Sequence, residues 1–551
     1  MNDAALALST FAYGPQTLAA ALGAPLVLML ACASARLRRF GPAYLVVAPL
    51  FALAACVLAS DSGPLVLDQM IYPIVLVLDP PGALLLGVTS LLWLAAGIFA
   101  ASSMRDETES GAFVAFWLAT LVGNIGVFMA ADVASFYLFF ALVSLPAYGL
   151  IVAQARMADS AGGLYVSVAL LGEAFLILAF ALLASATPDH SLLISDGVDA
   201  LPASPWRDAT IGLLIAGFGT KIGLLPLHVW MPSTYRAAPV AAAAVLSGGA
   251  VNAGVIGLVR FFPWGHAVPV WGEALVVLGM SAAFYGVAIG LTQRNPKTML
   301  AYSSISQMGL VAATLGAGLV AGNKGAAAGA ALYAAHHGLA KGGLFLAVGV
   351  LSGCGTLRMR RLTPFVGLLA LSLAGLPFSG GVIAKLAIKQ PLGDGLLGAL
   401  STLSAIATTL LMLHFLRRVA ALAEPRVSNP GWALITPMFA MIAASIMAPT
   451  AYYFAIENHR LVSLDAALFW ESLWPILVGA LIAAAARRWL ERLPALPEGD
   501  VGAFAARPFG LFARGGAAAD RGEIILRRWP VAAGALMVVA IMISGMGVLK
   551  P

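Results

Sequence analysis

Four lysines, Lys221, Lys341, Lys385 and Lys389, lie within apolar stretches long enough to cross a bilayer. An ammonium near the bilayer centre is costly, so an intramembrane lysine normally faces a polar cavity or a partner and marks a route for ions or protons. Lys221 and Lys341 have long apolar flanks on both sides, whereas Lys389 stands near a span end, where snorkelling to the interface is the alternative. Lys341 closes the run Ala335-His336-His337-Gly338-Leu339-Ala340-Lys341, in which His337 and Lys341 share one helix face. An imidazole titrates near neutrality, so this pair reads as a proton relay. Its competing reading is a histidine satisfied by an interhelical hydrogen bond. Glu173 is the carboxylate placed well inside a span, and it joins the candidate path. Asp79 and Asp132 stand where spans begin, and a carboxylate there can cap a helix N-terminus, which makes Asp132 a secondary candidate. Glu273 and Glu471 fall near span ends and read as interfacial.

These side chains need elements that bend around them. Lys221 precedes Gly223-Leu224-Leu225-Pro226-Leu227-His228, and Pro226 removes a helix hydrogen bond just past the lysine. The helix is therefore predicted to break there, freeing carbonyls to solvate the charge, with His228 beside the break. Lys385 follows Gly375-Leu376-Pro377, a second interruption, at Pro377. Two interrupted spans with buried lysines suggest an internal repeat and a path at the membrane midplane.

The rest of the chain is the scaffold. Of its 551 residues 61% are hydrophobic and only 10% charged, against roughly 25% charged in soluble domains. That excludes a water-soluble enzyme. Apolar runs near 16–35, 42–60, 80–103, 111–130, 133–153, 163–186, 209–231, 237–259, 270–292, 298–320, 326–352, 363–391, 396–416, 430–450, 466–486 and 530–548 give an all-α polytopic membrane protein of about 16 transmembrane helices by the length rule. If they alternate, 22 of the 31 basic residues fall on one side, including Arg36, Arg358, Arg417 and the loop 487–529. The positive-inside rule puts that side in the cytoplasm and both termini outside the plasma membrane. The net charge of +6 is then topology, and no nucleic-acid partner is expected. Arg36, Arg38 and Arg39 after the first run form a stop-transfer pattern, so no cleavable signal peptide is expected. Cys32, Cys56 and Cys354 lack metal-site spacing and read as packing residues, and Trp489-Leu490-Glu491-Arg492-Leu493 reads as interfacial helix. Neither a phosphate-cradling loop nor a Cys/His cluster is present in the sequence, so no cofactor, metal or catalytic residue is expected in this chain, and redox chemistry would belong to a partner.

The stretch 217–260, with Lys221, Leu225-Pro226-Leu227-His228-Val229-Trp230-Met231-Pro232, Ala238-Pro239 and Leu258-Val259-Arg260-Phe261, resembles the antiporter-like, proton-translocating subunits of respiratory complex I, Mrp-type cation/proton antiporters and membrane-bound hydrogenases. Lys297-Thr298-Met299-Leu300-Ala301-Tyr302-Ser303-Ser304, the His336-to-Lys341 run and Leu373-Ala374-Gly375-Leu376-Pro377 are similar to further motifs of that family. The resemblance covers roughly 75–420. It implies two inverted five-helix repeats, 111–260 and 298–416, each with a broken helix, joined by 261–297 and flanked by 1–110 and 417–551. It also implies a polar axis on which Lys221 belongs to the first break, Lys341 to the centre and Lys385 to the end. Two positions depart from the pattern: Ala141 stands where the family usually has a glutamate pairing with the broken-helix lysine, and Asn252 where many members have lysine. Asn252 can hydrogen-bond but cannot carry charge. The Lys221 ion pair is therefore expected to be missing unless Glu173 or a partner's carboxylate comes within reach.

The resemblance implies a proton-translocating, or cation/proton-translocating, subunit driven by a partner's redox or ion-gradient reaction, with Na+ as the other possible ion. The catalytic label, if any, would be that of an NADH-quinone oxidoreductase or hydrogenase complex. The altered first half suggests one alternative, the membrane partner of a zinc carbonic-anhydrase-like subunit in inorganic-carbon uptake; a second alternative is a non-conducting scaffold that retained the fold. The retention of Lys and His despite their desolvation cost favours conduction.

Overall fold

The computed structural model describes residues 2–496, apart from 60–62, 69–72, 105–106, 154–157, 423–429, 458–465, 491 and 494–495. The apolar run 530–548 and most of the 487–529 loop lie outside the described residues. Among those described, thirteen helices are long and apolar enough to cross a membrane, from Gly14–Ala31 to Ala466–Ala485. Two further apolar runs are each split into two helices. Arg207–Ile222 and Trp230–Ala237 form one pair, and Thr356–Ser372 and Gly380–Leu392 the other. The second pair starts seven residues before the predicted run at 363, because Arg358, Arg360 and Arg361 enter the helix as a charged first turn that hydropathy counting leaves out.

Burial separates the core helices from those facing lipid. The windows in Val240–Phe261, Gly325–Ser352 and Pro296–Ala321 are 100%, 94% and 89% buried, against 22% for Ala466–Ala485. Little hydrophobic force joins helices in lipid, so close backbone approach and polar ties must do so. Gly248 and Gly338 show the first: a Cβ on either would press on the other's carbonyl, so Val240–Val245 and its continuation lie directly against Gly325–Ser352. Between Val240–Val245 and Val251–Phe261 the turn Leu246–Ala250 widens into a π-helix.

The chain is not purely helical. Leu65–Leu67 and Ile74–Leu76 pair antiparallel, with Val66 opposite Val75. Asp132 pins this ribbon to the helix Val133–Val152. Its carboxylate accepts from Val75 N at 2.8 Å and from Ser135 N at 2.7 Å, capping the helix. Asp79 likewise caps Pro80–Ser103 through Gly82 N. The three cysteines are free, and Cys32 and Cys354 donate back to helix carbonyls.

Candidate functional site

The two helix breaks share one construction. The first spans 223–229. Gly223, at φ 70°, ends the helix as Leu224 N reaches Gly219 O at 2.9 Å and Gly223 N turns to Thr220 O at 3.4 Å. The second spans 373–379. Gly375, at φ 95°, sits in the same place, with Leu376 N to Leu371 O at 3.3 Å and Gly375 N to Ser372 O at 2.9 Å. Both are glycine C-caps of the Schellman type, which satisfy the last carbonyls and need a left-handed residue. Pro226 and Pro377 follow within three residues and prevent the helix from resuming at once.

Lys221 lies in the last helical turn before the first break, where the negative end of the helix dipole favours a cation. Its buried ammonium donates to Ser144 Oγ at 2.9 Å and lies 3.5 Å from the Tyr165 hydroxyl. It also sits 5.5 Å from the Phe140 ring centroid and 5.8 Å from that of Tyr165, within cation–π range. Tyr165 is held in turn by its own bond to Ser144 O at 3.0 Å. Trp230, from the far side of the break, donates from Nε1 to Thr220 O at 2.8 Å and stacks edge-on against Tyr165. The break therefore closes over the lysine.

No carboxylate among the described residues lies within ion-pair distance of Lys221. Glu173 comes nearest in role: it is buried, interacts electrostatically with Lys221 and reaches Ser144, and its Oε1 has no hydrogen-bond partner among the described residues. Gly172 makes this placement possible. A Cβ there would collide with Thr220 Oγ1, so Ala158–Ala184 passes against the Lys221 helix with no side chain between. Ser144 stands one turn after Ala141 on Val133–Val152, so a hydroxyl faces the lysine where a carboxylate was missing. His228 lies in the break itself, buried, with Nε2 3.3 Å from the Tyr285 hydroxyl.

The second group lies on Gly325–Ser352. Tyr333, His337 and Lys341 follow one another at four-residue spacing along one face, all buried. Lys341 Nζ donates to Leu300 O at 3.0 Å, a carbonyl that also accepts from Ser304 Oγ at 3.1 Å. Tyr333 donates to Gln307 Oε1 at 2.6 Å, and Gln307 Nε2 donates to Thr408 Oγ1 at 3.2 Å. The row thus continues as neutral side chains from Gly325–Ser352 through Pro296–Ala321 to Leu396–Ala420. Both nitrogens of His337 and Nε2 of His336 lack partners among the described residues.

Asn252 lies between the two groups: the Gly254 position abuts Lys221, and the Gly338 position abuts Asn252 Nδ2. Both polar atoms of Asn252 are buried and unpartnered among the described residues. Lys385 lies past the second break, its stem against Gly375, on the wall of a cavity. Lys389 is ion-paired with Glu471. Asp132 serves the ribbon and helix cap described above.

Sequence reasoning missed Ser144, Tyr165, Gln307, Tyr333 and Thr408, because hydroxyl and amide residues are ordinary in membrane helices. The signal available was helical spacing: Tyr333 is four residues before His337. It also missed a polar group beside the π turn. There Trp93 Nε1 and Asn124 Oδ1 face Gly249, both buried and unpartnered among the described residues.

The sequence profile of the family described as "NADH:quinone oxidoreductase/Mrp antiporter, TM" matches residues 130–412. Among curated relatives, the NADH-quinone oxidoreductase subunit N of Desulforudis audaxviator is 32% identical over 339 residues, 57% of this chain and 66% of that protein. A Na(+)/H(+) antiporter subunit of Alkalihalophilus pseudofirmus is 27% identical over 335 residues, 58% of this chain and 67% of that protein. Among solved structures, a chain of the Mrp complex of a Dietzia species superposes with TM-score 0.75 at 22% identity, covering 97% of this chain and 63% of that one. At that identity the likeness is one of fold.

Proposed function

The chain belongs to the NADH:quinone oxidoreductase/Mrp antiporter transmembrane family, and on that premise we propose that this antiporter-like membrane protein moves protons along Glu173, Lys221, His228, His336, His337, Lys341 and Lys385. The observation that carries the reading is Lys341. It is a fully buried amine in the middle of a membrane helix, with one backbone carbonyl as its acceptor and His337 one turn away on the same face. A scaffold would be more stable without such a group. Protons fit better than Na+, because a hard cation takes oxygen ligands whereas the central groups are amines and imidazoles.

In this reading 111–260 and 298–416 are the two inverted repeats, and their matching breaks at 223–229 and 373–379 support it. The first half works without a direct Lys–Glu pair: Ser144 and Tyr165 hold the ammonium and Glu173 supplies the negative charge from a neighbouring helix. The basic loops face the cytoplasm. Partner subunits of a multisubunit membrane complex supply the driving reaction.

The test is pH-gradient-driven flux in vesicles bearing the complex purified through this subunit, with its co-purifying chains identified by mass spectrometry. Lys341→Ala is expected to lower flux at least roughly a hundredfold, the scale on which a positioned proton carrier acts. Undiminished flux in an intact Lys341→Ala complex would sink the reading.

A further inference from the structure

The helix Gly380–Leu392 carries Lys385 and Lys389 one turn apart on the wall of a cavity of ≈ 300 Å³. The opposite wall comes from Ala466–Ala485, which brings Glu471 and Ser472 and lies beyond the family-matched segment 130–412. Glu471 is ion-paired with Lys389. Lys385 faces the same space without a hydrogen-bonded partner among the described residues, its stem packed on Gly375. The other carboxylate on the wall, Asp394, is exposed beyond the helix end and does not bridge to either lysine.

Two ammonium groups four residues apart repel, and Glu471, which pairs with Lys389 and lines the cavity that Lys385 also lines, can pair fully with one of them at a time. The Lys389–Glu471 pair is half-exposed, with side chains 44% and 53% accessible, so it is weakly held and can exchange. We propose that Lys389–Glu471 is a latch on the terminal step of the path: Glu471 leaves Lys389 for Lys385 when Lys385 takes up a proton, and returns when that proton departs. The amine lone pair of Lys385 forms a new N–H bond as a protonated water on the path gives up an O–H bond, an N–H bond breaks on release as the proton passes to water at the cavity mouth, and Glu471 stays a carboxylate throughout. The inference rests on the reading of Lys385 as the end of the path. It adds an acidic residue that the family-matched segment does not contain.

The test uses the purified complex in vesicles and compares wild type, Lys341→Ala, Glu471→Gln and the double exchange Lys389→Glu with Glu471→Lys. Glu471→Gln should lower flux at least roughly tenfold while leaving assembly and melting temperature unchanged. The exchange re-forms an ion pair but sets a carboxylate permanently one turn from Lys385, so flux should stay low. Flux restored by the exchange would make the pair a structural brace and overturn the latch. So would wild-type flux in Glu471→Gln beside impaired Lys341→Ala. Wild-type flux in Lys341→Ala marks failure of the path itself, and the latch falls with it.

Discussion

Lys221 shows how a membrane protein keeps an ammonium without a salt bridge. Two hydroxyls, two ring faces and a helix C-terminus surround it, and the nearest negative group is Glu173 on the neighbouring helix. Glu173 acts on Lys221 electrostatically from the neighbouring helix rather than through a direct ion pair, and in low dielectric such an interaction reaches further. Glu173→Gln keeps the shape and removes the charge, so flux in vesicles should fall at least roughly tenfold. Tyr165→Phe removes a hydroxyl 3.5 Å from Lys221 that also donates to Ser144 O at 3.0 Å, but it removes no charge, so it should change flux by less than about fivefold. Equal effects of the two variants would mean that the Glu173 charge carries no special weight at this site. The ionisable members of the group were legible because a charge in an apolar run is rare. Ser144 was not, since its role depends on which face of Val133–Val152 meets Lys221, a matter of packing between separate helices.

The interrupted helices are the elements that make these sites. Gly-Leu-Leu-Pro at 223–226 and Gly-Leu-Pro at 375–377 encode the same event: a left-handed glycine ends the helix and a proline stops it from resuming. The breaks themselves are legible from the prolines, though not the left-handed glycine caps that end the helices, and thirteen of the spans are legible as well. The π turn at Leu246–Ala250 could not be read from sequence; within it Gly248 packs against Gly338 on a helix some ninety positions away. Nor could the ribbon Leu65–Leu67 with Ile74–Leu76, whose strands are too short for their alternation to register and which depends on Asp132 for an acceptor. The cap makes a sharp prediction. Gly223→Ala forces a Cβ into the left-handed region and should cost about 1–2 kcal/mol. Gly219→Ala, in the same helix but with only ordinary contacts around its new Cβ, should be neutral or stabilising by up to about 1 kcal/mol. Denaturant unfolding in detergent measures both. Equal losses at the two positions would refute the cap as the source of the break.

At the scale of the whole molecule, something must hold the helices around these buried polar groups in register. Arg260, at the end of Val251–Phe261, does this with all five of its N–H groups. Nε and one terminal nitrogen grip Asp79 at 3.1 and 2.6 Å, and the remaining donors take Val127 O, Phe128 O and Ala130 O at 3.0, 2.6 and 2.9 Å. The start of Pro80–Ser103, the end of Glu107–Met129 and the end of Val251–Phe261 are thereby joined at one point. Sequence alone named Arg260 as part of the run Leu258-Val259-Arg260-Phe261 and gave it no structural role. Its side chain is 9% exposed and that of Asp79 36%, so the carbonyl contacts are the drier part of the clamp. Lysine keeps the charge but cannot reproduce the planar fork. Arg260→Lys should therefore destabilise the protein by about 2–4 kcal/mol, most of it from carbonyls left without donors. Asp79→Asn, which removes only the wetter contact, should cost about 1 kcal/mol. Unfolding in detergent at low and high salt separates the two contributions: the Asp79→Asn loss should shrink with salt, whereas the Arg260→Lys loss should persist. If both losses vanish together in salt, the clamp is a surface ion pair and the register of these helices must be held elsewhere.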